Sequence, residues 1–109
     1  MFGFNKNVPT ISADELMDLV NRKEKITIVD VRMPQEISRG KIENSINIPL
    51  DQIQNAQDYL KDKNARLYVY CLSGSRSAIA VDQLSKMGYS NAVNIANGLL
   101  AWRMKYPLV

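Results

Sequence analysis

Cys71 is the one cysteine of the chain, and it stands where the apolar run Leu67-Tyr68-Val69-Tyr70 gives way to Leu72-Ser73-Gly74-Ser75-Arg76-Ser77. The run before it has the period-two, β-rich character of a strand. The small residues after it open an amphipathic helix. Backbone N–H groups of such a loop can converge on one point. A thiolate held there would meet the positive end of the helix dipole and the guanidinium of Arg76, two influences that lower a thiol pKa and create a nucleophile. A free cysteine is otherwise a small, inert core residue. Ser73, Gly74 and Ser75 are poor core formers at a strand end, where functional residues gather, so the local context favours chemistry.

Composition narrows what that chemistry can be. The chain has no histidine, which excludes a Cys-His dyad, a Ser-His-Asp triad and a Cys/His zinc site. No metal and no cofactor is expected. Fourteen Lys and Arg stand against 11 acidic residues, and the basic residues are scattered, so no nucleic-acid partner is expected. The mild positive balance is compatible with a small anionic substrate. A single cysteine allows no internal disulfide, and the first residues do not have the makeup of an export signal, which predicts a cytoplasmic protein. No apolar run approaches the roughly 20 residues of a membrane helix, so no membrane partner is expected.

The elements that must position Cys71 are legible in outline. With 109 residues the chain reads as one domain, 1–109, with a loosely ordered segment over 1–9. Ser12 and Glu15 have capping-box spacing, and Leu16, Leu19 and Val20 recur at helical intervals, predicting a helix over 13–22. Ile26 to Val31 reads as a buried strand ended at Pro34. A helical turn over 35–38, an extended piece over 45–49 and a helix capped by Asp51 and running to Leu60 complete the first half. The second half predicts a strand over 66–70, a helix over 77–87 stopped at Gly88, a strand over 92–95 and a last helix over 99–105. Strands alternating with helices imply an α/β fold, a mainly parallel sheet with helices on both faces, whose ligands bind at the carboxyl ends of the strands. Trp102, Tyr89, Tyr68 and Tyr70 read as core aromatics.

The order and spacing of Asp30-Val31-Arg32 with Glu36, Gly40-Lys41-Ile42, Ile46-Asn47-Ile48-Pro49, the loop Cys71 to Ser77, Gly88-Tyr89 and Asn97-Gly98-Leu99-Leu100-Ala101-Trp102 resemble the rhodanese-like sulfurtransferase family over nearly the whole chain. The resemblance implies a three-layer α/β fold in which Cys71 accepts a sulfane sulfur from thiosulfate or a persulfide donor and passes it to cyanide, a thiol or a protein acceptor. Thiolate attack on an S–S bond needs a low thiol pKa and an accessible sulfur but no base, which suits a chain without histidine. The N–H groups from Leu72 through Ser77 would then form an anion nest for the persulfide.

Arg76 presents a fork of donors beside the nucleophile and is assigned to the substrate anion. Ser75 and Ser77 either donate hydroxyl bonds to the site or cap the helix. Arg32 and Asp30 read as supporting residues, with Arg32 pairing Glu36 four residues on. Leu72 is apolar where the loop faces solvent, a docking point for an acceptor. Ser73 places no cation in the loop, which points away from thiosulfate towards a persulfide donor. Two other readings stand beside sulfur transfer. Related phosphatases and arsenate reductases place five residues between cysteine and arginine where this chain has four, a wider cradle for a tetrahedral oxyanion. A non-catalytic binding module could also use the fold.

Overall fold

The computed structural model of the protein describes residues 8–109. Five strands, β1 (Thr10–Ile11), β2 (Thr27–Asp30), β3 (Ile46–Asn47), β4 (Leu67–Tyr70) and β5 (Ala92–Ile95), form one sheet in the order β1-β5-β4-β2-β3. Every pairing is parallel. The chain steps from β2 outward to β3, then crosses back to β4, so the strand order reverses between β2 and β4. Cys71 follows β4 on the carboxyl side of that reversal, the position where such sheets bind ligands.

Helices cover both faces because the buried strands carry apolar residues on both. Leu67, Val69 and Cys71 point to the face covered by α3 (Ser75–Lys86) and the 3-10 helix Leu50–Asp58, where Ile53, Ala56, Ala80, Val81 and Leu84 meet them. Tyr68 and Tyr70 point to the other face, packing with Leu16 of α1 (Ala13–Asn21) and Leu99 and Trp102 of α4 (Gly98–Trp102). The short helix α2 (Pro34–Ile37) comes between β2 and β3 along the chain. The four aromatics expected in the core are all buried.

Local signals explain most boundaries. Ser12 and Glu15 close the predicted capping box on α1, each accepting the other's backbone N–H. Four expectations change, the first being that the last helix spans Gly98–Trp102 and stops three residues short of 105. The segment over 50–58 is 3-10 rather than α-helical and starts after Pro49 without a side-chain cap, so Asp51 is not its cap. The helix after the cysteine loop begins at Ser75, two residues earlier than expected, with Gly74 in the left-handed region as its N-cap. The expected loose segment falls outside the described residues for its first seven positions. Of its last two, Val8 packs on the core and the carbonyl of Pro9 accepts from the Asn94 N–H at 2.7 Å, leading into β1, which the sequence did not announce.

Candidate active site

Gly74 makes the cysteine loop possible. Its φ of +107° turns the chain so that its own N–H points back at Cys71 Sγ, 3.1 Å away, and a Cβ there would press on the backbone of Asn97. The Ser77 N–H lies 3.4 Å from the same sulfur, and Ser77 Oγ is also at 3.4 Å. Burial pushes the Cys71 thiol up, but the hydroxyl and N–H of Ser77 and the N–H groups of Gly74 and Ser73 outweigh it, leaving the pKa below its ordinary value. These neutral donors at the helix N-terminus favour the thiolate over the thiol more than an ordinary site would.

Access differs from expectation. Cys71 is 0% exposed, so the sulfur is roofed by its loop rather than open to solvent. Leu72 is half-buried, packed against the α1/α4 core rather than projecting from it. Ser73 and Ser75 are exposed, and Ser75, the first residue of α3, is not the helix cap.

The charged residues pair otherwise than their spacing suggested. Arg32 does not pair with the Glu36 carboxylate. It bonds Asp30 through Nε and Nη2, the latter at 2.8 Å, and donates to the carbonyls of Gly40 and Glu36. Arg32 and Asp30 are both buried, and the Asn47 side chain ties both their carbonyls to β3. Burial opposes the Arg32 charge, but Asp30 more than restores it. This closed pair braces the loop after β2 and lends no free group to chemistry.

Glu36 instead takes both arms of Arg76, Oε1 to Nη1 at 2.7 Å and Oε2 to Nη2 at 3.1 Å. Arg76 lowers the Glu36 pKa to about 2, helped by the Met33 N–H. The guanidinium therefore lies between a carboxylate and the sulfur, held protonated first by Glu36 and more weakly by Cys71. Beside it, a cleft of about 530 Å³ is lined by Arg32, Gln35, Glu36, Arg39, Leu72, Leu99 and Arg103.

The Asn97-Gly98 turn, met in the sequence only as part of the resemblance, and Asn94, which the sequence did not single out, complete the site. Asn97 and Gly98 both have φ near +50°, and the turn brings the Leu99 and Leu100 N–H groups onto the carbonyls of Cys71 and Leu72 at 2.9 and 3.0 Å. A Cβ on Gly98 would lie 2.3 Å from the Cys71 carbonyl oxygen, so only glycine allows this approach. Asn94, in β5, accepts from Ser77 Oγ at 2.6 Å. A polar residue at a core-facing position of the short run Ala92-Val93-Asn94-Ile95 was the available signal. Among the described residues no group of His, Cys, Asp and Glu could hold a metal, and no helix is long and apolar enough to cross a membrane.

A parallel sheet with a cysteine loop at its topological reversal, a Gly74 turn and a helix N-terminus beneath the sulfur defines a class, and comparison with known proteins places the chain within it. The chain belongs to the rhodanese-like domain family, which it matches over residues 12–105. It is 32% identical to a sulfurtransferase of Allochromatium vinosum, with 94% of this chain and 95% of that protein covered. A rhodanese-related protein from Thermoplasma volcanium superposes with a TM-score of 0.82 at 35% identity, covering 93% of this chain and 97% of that one. A protein from Rhodopseudomonas palustris, described as of unknown function and a possible tyrosine phosphatase, superposes with a TM-score of 0.86 at 27% identity, over 96% and 87% of the two chains.

Proposed function

We propose that this protein is a sulfurtransferase that carries a sulfane sulfur on Cys71. The observation that carries the reading is the cradle of Gly74 and Ser77 donors on a sulfur whose pKa they lower, in a chain with no histidine. The Cys71 thiolate attacks the sulfane sulfur of a donor R–S–S or thiosulfate. The S–S bond breaks, and the donor thiolate or sulfite leaves with its electron pair. Cys71 then bears a terminal sulfur anion within reach of the loop from Leu72 to Ser77. An acceptor thiolate or cyanide attacks that terminal sulfur, and the Cys71 thiolate departs unchanged.

Arg76 is the group placed to meet an anionic donor, and the arginine-lined cleft beside it, with Leu72 and Leu99, suits an acidic thiol or protein acceptor. The Glu36 carboxylate already on Arg76 disfavours small dianions such as thiosulfate and supports a persulfide donor. A lone thiol that must remain reduced fits the cytoplasm. Phosphate-ester hydrolysis is the weaker reading, since four residues between Cys71 and Arg76 leave a smaller cradle and the Arg76 fork is filled by a carboxylate.

Cys71→Ser tests the proposal. It should abolish sulfur transfer to thiols and cyanide while the circular dichroism and melting of the protein persist, because a neutral hydroxyl is a far weaker nucleophile than a thiolate. Substantial transfer by the variant, or efficient hydrolysis of aryl phosphates by the wild type, would refute the reading.

A further inference from the structure

The Ser77 hydroxyl has one proton and three acceptors. Ser77 is fully buried, and its Oγ stands 3.1 Å from the Gly74 carbonyl oxygen, 2.6 Å from the side-chain oxygen of Asn94 and 3.4 Å from Cys71 Sγ. At 2.6 Å from Asn94 Oδ1 the proton belongs to that contact, which leaves only lone pairs facing the sulfur. That arrangement fits a Cys71 thiol, whose S–H can donate to Ser77 Oγ. It does not fit a thiolate, which has no proton and would face those lone pairs.

Of the three groups around Ser77 Oγ, Asn94 can change from acceptor to donor without a change of charge. Turning its carboxamide by half a revolution exchanges the oxygen for an N–H at the same place. Ser77 Oγ then accepts from Asn94, and its own proton is released to the sulfur. We propose that Asn94 is a positioning residue whose carboxamide turns with the state of Cys71, setting the Ser77 hydroxyl to donate whenever the sulfur is an anion. Asn94 is well placed for this, paired with Val69 of β4 on the face that carries Cys71 two residues on, and 7% exposed. Its backbone is pinned by the Pro9 carbonyl, so the side chain can turn while the strand stays fixed.

The inference rests on the reading of Cys71 as a thiolate nucleophile, and its test is independent of turnover. The charged groups around the sulfur are Arg76 at the start of α3, Glu36 of α2 through Arg76, the Asp30–Arg32 pair after β2, and Arg103 after α4 beyond Leu72. The variants below leave all of them in place. Iodoacetamide alkylation of Cys71 is followed against pH in the wild type, Asn94→Leu, Ser77→Ala and the double variant, and the midpoint is read rather than the rate because the sulfur is buried.

Ser77→Ala should raise the midpoint by about one pH unit, the worth of one hydrogen bond to an anion. Asn94→Leu removes both the oxygen that holds the Ser77 proton and the N–H that would release it, leaves the hydroxyl free to donate, and should shift the midpoint far less. The double variant should rise no further than Ser77→Ala alone, since Asn94 acts through Ser77. A midpoint in Asn94→Leu raised as far as in Ser77→Ala, or a double variant that differs from Ser77→Ala, would overturn the assignment. Nitrogen NMR reads the turning of the carboxamide itself. The Asn94 side-chain amide should titrate with Cys71 in the wild type and stop doing so in Ser77→Ala, and an amide that ignores the titration, or moves equally in both proteins, would overturn it. If the midpoints behave as stated and the wild type transfers no sulfur, the proposed function fails and the role of Asn94 stands.

Discussion

Arg76 shows how far residue types alone determine a role. Its type and place beside Cys71 were legible, whereas its partner Glu36, forty residues away in sequence, could be known only from the fold. The local pair suggested by spacing, Arg32 with Glu36, loses to Asp30 because the side chain of Arg32 turns inward, where a buried guanidinium must be fully bonded. The two arginines therefore respond differently to substitution. Arg76→Ala should raise KM for thiosulfate, tenfold for each ~1.4 kcal/mol of binding lost. Glu36→Gln should lower it, because the fork is freed and a negative charge is removed beside an anion. Steady-state kinetics on both variants checks the pair of signs. A raised KM in Glu36→Gln would show that the carboxylate orients Arg76 productively rather than competing with substrate.

Among the elements, strands and helices with strong periodicity emerged from the sequence within a residue or two, and β5 was placed without error. Elements set by tertiary contacts did not. β1 is two residues long and exists because β5 offers an open edge, so no alternation could announce it. The 3-10 segment is broken by the non-helical backbone of Asn55, with its apolar Ile53 and Ala56 drawn onto the sheet. The turn before α4 is a left-handed corner, with φ of 58° at Asn97 and 47° at Gly98. Its further task, pressing Gly98 against the Cys71 carbonyl, lies in the packing of two loops. Gly98→Ala should therefore cost ~2–4 kcal/mol, from left-handed strain and overpacking together. Asn97→Gly, at a similar φ but a position where the side chain is not what the close approach requires, should cost about 1 kcal/mol or less. Urea unfolding of the two variants makes the comparison, and equal costs would remove the close approach as the reason for glycine.

For the whole molecule, a β4 buried on both faces delivers Cys71 to the sheet's topological reversal, and charge then governs its pH response. The Cys71 pKa is lower in the folded protein than in the unfolded chain. Folding thus gains stability above the ordinary thiol pKa, and that gain fades as pH falls through the folded value. Glu36, lowered to about 2, keeps its charge until pH falls well below 4.5, so the Arg76 pair is intact throughout the range in which Cys71 titrates. The profile of kcat/KM against pH should accordingly show one acid limb with a midpoint below 9, owed to Cys71, and no limb near the ordinary carboxylate value. A limb near pH 4.5 would mean that Glu36 is not held by Arg76 in solution.

Sulfur transfer by Cys71 would run through a covalent persulfide on that residue. Intact-mass spectrometry of the protein after exposure to a sulfane donor, followed by removal of the donor and addition of a thiol, tests it most directly. The wild type should gain the mass of one sulfur atom, located on the peptide containing Cys71, and lose it to the thiol, while Cys71→Ser gains none. Sulfur transfer at full rate with no such adduct, or an equal adduct on Cys71→Ser, would contradict the account.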